Sequence, residues 1–494
     1  MMTKKITRHI KTSGLAILLA ASLNACKKDF LEIQPKGKVI AQATNDYNLM
    51  FNNGNILLNN MDVSIPLGDE VIAMDNYFSS AALPRTQRLF RYDDIVYDNG
   101  VQANEMLNMM NTLYIFNKIA AEVMSSTGGT DQQKKALLAE AKADRAFNNF
   151  WLINMFGKPY NPATAATDPG YPIVTAADVT ETSFTRASVQ EMYDFIVKDL
   201  TEAIPSLPVA ISSRGRMGKA AAEVLLGKVY VFMGKYAEAK TQLDAAVTDL
   251  ASTGSATTLT TVALYDYNVT LVPGGTWGYS TATATTFFSG MPTQAIHTEY
   301  ICCRQLATSA WFTINSELVM SPQTTALFTS SDKRLNLFST KPYLVNTAYP
   351  LAGAMRRNGP AGVQYGETIP DMYLLRAECR ARLNDLTGAK ADLEILRVKR
   401  MSAADATVPT TLTQLQMIQF VLNERLRENA MQGMRWWDMR RLSADPLFAS
   451  ATYTHQLYSA TGTLSATYPL RPERLTMRFT QSVIDQNPGM QNNP

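Results

Sequence analysis

Cysteine and histidine are scarce, with four and three residues in a chain of 494. Beyond the first 25 residues no apolar run approaches the ~20 residues that a membrane-spanning helix needs. A disulfide-stapled scaffold and a polytopic membrane protein are therefore excluded. An excess of charge of one sign is also missing. Residues 1–25 carry Lys4, Lys5, Arg8 and Lys11 and no acid, which leaves 42 basic against 43 acidic residues in the remainder. A chain so balanced has no bulk electrostatic attraction for nucleic acid. With 46% hydrophobic and 18% charged residues it has ample apolar side chains for a core, which excludes a disordered or collagen-like chain. Catalytic signatures are lacking as well: there is no His-Glu-x-x-His, no Gly-x-Ser-x-Gly and no phosphate-cradling Gly-x-x-x-x-Gly-Lys-Ser/Thr. A facing pair of carboxylates, all that a glycoside hydrolase requires, is the arrangement that 43 acids leave open. The expectation is a protein without enzymatic activity, cofactor or metal.

The beginning of the chain is the most legible part. A basic stretch to Lys11 is followed by an apolar run from Gly14 to Leu23 and then by Leu23-Asn24-Ala25-Cys26. This is the layout of a secretory signal over residues 1–25. A cysteine directly after Leu-x-Ala resembles the bacterial lipobox, in which the thiol is acylated and becomes the new N-terminus. Cys26 is thus the expected lipid attachment, and the membrane is reached through that anchor alone. Of the other cysteines, Cys379 sits in an apolar helical pattern and reads as a buried thiol, whereas the vicinal Cys302 and Cys303 leave a strained bridge open.

Apolar residues recur at three- and four-residue intervals from Val101 to Met124 (Met106, Met109, Leu113, Phe116, Ile119, Val123). After Gly128-Gly129, where Asp131 is placed to cap, the same period runs to Gly157-Lys158-Pro159. The pair predicts a helical hairpin. Two more hairpins are predicted at 219–250, broken near Gly234-Lys235, and at 368–401, broken near Asn384-Asp385. They superpose at an offset of 150 residues. Leu226, Gly227, Tyr230, Ala239, Leu243 and Ala246 follow the tetratricopeptide pattern, whose small residues let two helices approach closely. In the later copy Arg376 and Arg380 replace Leu and Tyr. Residues 62–100 and 251–350 break these periods with Ser, Thr, Gly and Pro, predicting long loops and short strands.

The last third carries Asn423-Glu-Arg-Leu-Arg-Glu428 and then Gly433-Met-Arg-Trp-Trp-Asp-Met-Arg-Arg-Leu442. Its arginines can stack on Trp436 and Trp437 and fork onto Glu424, Glu428 or Asp438, a cluster suited to holding helices together. These residues closely resemble the closing motif of the SusD/RagB family. Tyr468-Pro-Leu-Arg-Pro472, the terminal Asn487-Pro-Gly-Met-Gln-Asn492, the tether Cys26-Lys-Lys-Asp-Phe-Leu31 and Asn117 in its helix are similar to further family elements, in the family's order.

The resemblance implies a mainly α fold, in which tetratricopeptide-like hairpins form a right-handed scaffold beside a loop-rich region with short strands. The expected divisions are the signal (1–25), an N-terminal SusD-like region (26–235) and a C-terminal SusD/RagB region (236–494) with the insert 251–350. It further implies an outer-membrane, cell-surface lipoprotein of Bacteroidota that captures oligosaccharides and passes them to a SusC-like TonB-dependent β-barrel. Peptide capture of the RagB type, and a tetratricopeptide-like assembly scaffold, are the alternatives. Sugar capture needs flat aromatic faces beside polar side chains. The expected platforms are Trp277, Tyr279 and Trp311, with Tyr77 and Tyr92 from the earlier irregular stretch. Trp277 leads because its glycine-flanked turn leaves little local apolar sequence to bury an indole.

Overall fold

The computed structural model describes residues 41–59, 62–252, 262–279, 290–306, 316–359 and 363–494. The predicted hairpins are present. Helices α1 (Asn104–Glu122) and α2 (Asp131–Phe156) pack together, α3 (Val189–Ala203) lies on α2, and α4 (Lys219–Phe232) pairs with α5 (Tyr236–Ser252). Further along, α6 (Ile369–Arg382) pairs with α7 (Leu386–Arg397), and α8 (Gln414–Glu428) packs on α6 before α9 (Met434–Ser443). Thr130 rather than Asp131 caps α2: its hydroxyl accepts the Gln133 N–H at 3.1 Å while Gln133 returns a bond to the Thr130 N–H at 2.8 Å. The same Ser/Thr-x-x-Glu/Gln logic starts α3 at Ser188-Val-Gln-Glu191.

The internal repeat has a steric basis. A methyl group on Gly227 would stand 2.7 Å from Leu243 Cγ, so glycine sets how closely α4 and α5 approach. Gly234 and Asn384, equivalent at the offset of 150, both adopt left-handed backbone, at φ +73° and +64°, to end their first helices. Arg376, where the repeat pattern has Leu, forks onto Asp392 of α7 and reaches Asp244 of α5 at 3.2 Å. A salt bridge has replaced an apolar contact there.

A four-stranded sheet gathers distant parts of the chain. Strands β1 (Val71–Met74), β2 (Leu318–Met320), β3 (Thr454–Tyr458) and β4 (Leu464–Pro469) lie in the order β4-β3-β1-β2. β1 runs antiparallel to β2, with Ile72 opposite Val319, and parallel to β3, with Met74 opposite Tyr458. All four residues of β1 are buried, which fits an apolar run covered on both faces. The sheet thereby joins the two irregular regions to the end of the chain.

The closing motif is a clamp. Trp437 meets Trp151 of α2 at 5.0 Å and Trp436 at 4.6 Å, and Arg440 stands 5.1 Å over Trp436. Arg441 forks onto Glu378 of α6 and also reaches Asp438, which Arg425 of α8 shares. Asp438 takes the expected fork, but the arginines beside Trp436 and Trp437 do not reach Glu424 or Glu428. Arg334, Arg397 and Arg427 surround Glu424, and Arg334 and Arg400 hold Glu428. Of the remaining motif arginines, Arg435 pairs with Asp69 beside β1. The terminal asparagines also bind main chain: Asn492 exchanges two bonds with Phe479, and Asn493 donates to Phe156 and Met477. Asn117 donates to the carbonyls of Val174 and Ala176 and accepts from Arg145. Cys302, Cys303 and Cys379 are free, buried thiols, so the vicinal bridge is not formed.

Candidate functional site

Where β1 ends, a short helix carries Asn76 and Tyr77 outward next to the Tyr458 end of β3. The Tyr77 ring meets Tyr349 edge-on at 6.1 Å. Tyr77, Tyr458 and Leu351 pack from outside on a small cluster of Ile72, Met74, Val319, Tyr349 and Ala354. Two bonds to one residue fix the loop that brings Tyr349: its hydroxyl donates to the Ser316 carbonyl at 3.3 Å, and the Tyr343 N–H donates to the Ser316 hydroxyl at 2.8 Å. Tyr77, Tyr343 and Tyr458 are half-buried, and Tyr349 beneath them is buried. Exposed Asn76, and Gln456, whose amide oxygen accepts from the Tyr458 hydroxyl at 2.7 Å, stand beside them as polar partners. Flat, partly wetted rings beside amides are what a sugar face and its hydroxyls require.

The residues expected from sequence fare differently. Tyr77 stands in this surface. Tyr279 is half-buried against the core cluster that also holds Trp277. The expectation that Trp277 is exposed is overturned: it is 2% exposed, edge-on to Tyr265 at 5.1 Å and to Tyr267 at 5.0 Å. Its glycine turn is as expected, with Gly274 and Gly278 at positive φ, but the turn folds inward and the burying partners come from other segments. Trp277→Ala is accordingly expected to destabilise the fold by about 3 kcal/mol, the cost of a large cavity, in a urea titration. Tyr92 offers no platform either. It is buried in left-handed backbone, and its ring stacks at 4.4 Å on His455, which Phe90 covers at 4.5 Å from the other side. Trp311 and Cys26 lie outside the described residues.

Tyr343, Tyr349 and Tyr458 were not singled out in the sequence. A signal existed for Tyr458: Thr454–Tyr458 and Leu464–Pro469 flank a turn with Gly462 at φ +81°, a hairpin pattern. For Tyr349 there was none, since an irregular loop brings it to its buried place beneath Tyr77.

Among the described residues no group of three His, Cys, Asp or Glu side chains could hold a metal, and no helix is long and apolar enough to cross a membrane. The geometry defines a helical-hairpin scaffold that supports an irregular face bearing tyrosines. The chain belongs to the SusD family: residues 369–494 match the SusD family model, and residues 29–231 match a model described as starch-binding associating with outer membrane. Solved structures share the fold. A putative sugar-binding protein from Bacteroides vulgatus is 20% identical, with a TM-score of 0.69 over 92% of this chain and 99% of that one. A SusD superfamily protein from Bacteroides thetaiotaomicron is 18% identical, also at 0.69, over 92% of this chain and all of that one. A SusD-like carbohydrate-binding protein from Bacteroides vulgatus is 17% identical at 0.65, over 91% and 97%. No curated protein matches the chain.

Proposed function

We propose that the mature chain is a cell-surface lipoprotein that captures oligosaccharides and delivers them to a SusC-like TonB-dependent barrel in the outer membrane. The observation that carries sugar capture is the surface of half-buried Tyr77 and Tyr458, backed by the buried ring of Tyr349. A pyranose laid on one such ring removes on the order of 100 Å² from water, worth roughly 2–3 kcal/mol before ordering costs. One ring alone binds weakly, so several are needed, and a protein that must release its cargo gains nothing from tighter capture. The family match supports the outer-membrane location, and the Leu-x-Ala-Cys26 sequence supports the lipid anchor.

Two measurements test the anchor and the partner. Metabolic labelling with a fatty acid is expected to mark the wild type and to be lost in Cys26→Ala, which is released as soluble exported protein. Label retained on Cys26→Ala contradicts the anchor. A pull-down in mild detergent is expected to bring down a large β-barrel. Recovery of the protein alone contradicts delivery to an importer and favours a free-standing binder.

A further inference from the structure

A cleft of about 110 Å³ lies where the irregular segment 92–97 meets residues 474–481 near the end of the chain. Leu67, Leu89 and Phe479 give it buried apolar walls, and Arg474 and Arg478 bring two guanidinium groups to it. The acids in the wall are already engaged. Asp93 pairs with Arg91 at 2.9 Å, and the carboxylate of Asp94 is taken up by Arg471.

The two arginines of the cleft are not matched in the same way. Arg474 is 7% exposed, yet its guanidinium donates no hydrogen bond to any described residue, and the nearest acid oxygen, on Asp94, stands 3.4 Å from its Nε. Half-buried Arg478 makes neither a hydrogen bond nor an ion pair through its side chain among the described residues. Buried polar groups are ordinarily satisfied, and a guanidinium can only donate, so an acceptor from outside the chain is what Arg474 lacks. Burial lowers its pKa, and Arg471 and Arg478 lower it further against the pull of Asp94 and Glu473. An anion beside the two arginines would reverse that shift by favouring their charged forms.

The volume is that of roughly three or four water molecules, room for one small ion and too little for a sugar ring. An arginine fork grips two oxygens of an oxyanion. A tetrahedral ion has oxygens left for a second fork, whereas a carboxylate has none. We propose that this cleft binds one tetrahedral oxyanion, sulfate or phosphate, either free or as the terminal ester group of a larger molecule, gripped by Arg474 and Arg478 together. Tyr77 and Tyr458 lie outside its wall, so the site is independent of sugar capture.

Isothermal titration calorimetry of the mature protein at fixed ionic strength, with inorganic phosphate, inorganic sulfate and acetate, tests the proposal. Saturable binding is expected for at least one of the two tetrahedral ions, with acetate at least tenfold weaker. Arg478→Gln is expected to weaken binding at least tenfold while thermal stability without the ion stays unchanged, because that side chain has no partner to lose. Arg474→Gln is expected to weaken binding as much. Tyr77→Ala with Tyr458→Ala is expected to leave the affinity within twofold, which separates this site from the tyrosine surface. Displacement of the bound ion by methyl phosphate assigns the cleft to an ester group, and no displacement assigns it to a free ion. Absence of saturable binding, equal affinity for acetate, or unchanged affinity in both arginine variants overturns the proposal and leaves Arg474 to water.

Discussion

Replacing Glu424 by alanine is expected to cost about 5 kcal/mol, enough to prevent folding of a protein with ordinary stability. The carboxylate is fully buried and surrounded by Arg334 at 2.7 Å, Arg397 and Arg427. Burial alone would raise its pKa, but Arg334, Arg427 and Arg397 together hold it well below the usual carboxylate range. Without it, buried guanidinium groups lose a shared counter-charge, and that loss far exceeds the packing lost with the side chain. Asp438 shows the same balance: burial opposes its ionisation, yet Arg425 and Arg441 bring it down to about 2. Acids with lowered folded pKa values stabilise the fold above their unfolded values, near 4, and lose that contribution as pH falls toward 2. Denaturant midpoints are therefore expected to drop steeply between pH 4 and pH 2. A flat acid limb would contradict the role given to these pairs.

The second large effect has the opposite sign with pH. Glu70, beside β1, is 1% exposed and has no paired cation at salt-bridge distance among the described residues. Burial first and the Asp69 charge second push its pKa up from 4.5 to about 8, against smaller opposing effects of its own backbone N–H, of Arg435 and of the Met431 N–H. The folded protein thus holds a proton that the unfolded chain releases near pH 4.5, so stability falls as pH rises through this window. The slope is about 1.4 kcal/mol per pH unit, or roughly 5 kcal/mol in all. Glu70→Gln carries no titratable proton. It is expected to match the wild type near pH 4.5 and to exceed it by several kcal/mol at pH 8. Parallel stability curves for the two proteins from pH 5 to 8 would contradict a neutral, buried Glu70.

The scaffold was legible because its signals are local. A helical hairpin writes its period, cap and stop into some 30 adjacent residues, and the offset of 150 repeats down to the left-handed residues Gly234 and Asn384. Burial of single aromatics was not legible, because partners far along the chain supply it. Trp277 has a turn sequence that promises exposure, yet it is buried in a cluster that also draws in Phe78, Phe90, Leu337 and Met431. Tyr92 is covered by a histidine 363 residues away. Conversely, the surface around Tyr77 exists only because β1 pairs with both β2 and β3, bringing together residues near 75, 350 and 458. The closing motif stands between these cases: its forks onto acids were readable from residue type, and the identity of each partner was not.

Glycan capture at the tyrosine surface is tested most directly by offering the mature chain a glycan array and a peptide library side by side, then measuring the best ligand against Tyr77→Ala with Tyr458→Ala. The expected result is saturable binding to an oligosaccharide that the double variant weakens by about thirtyfold, the equivalent of about 2 kcal/mol, with little change in thermal stability. Binding to peptides alone, or a double variant whose oligosaccharide affinity stays within twofold of the wild type, would contradict it.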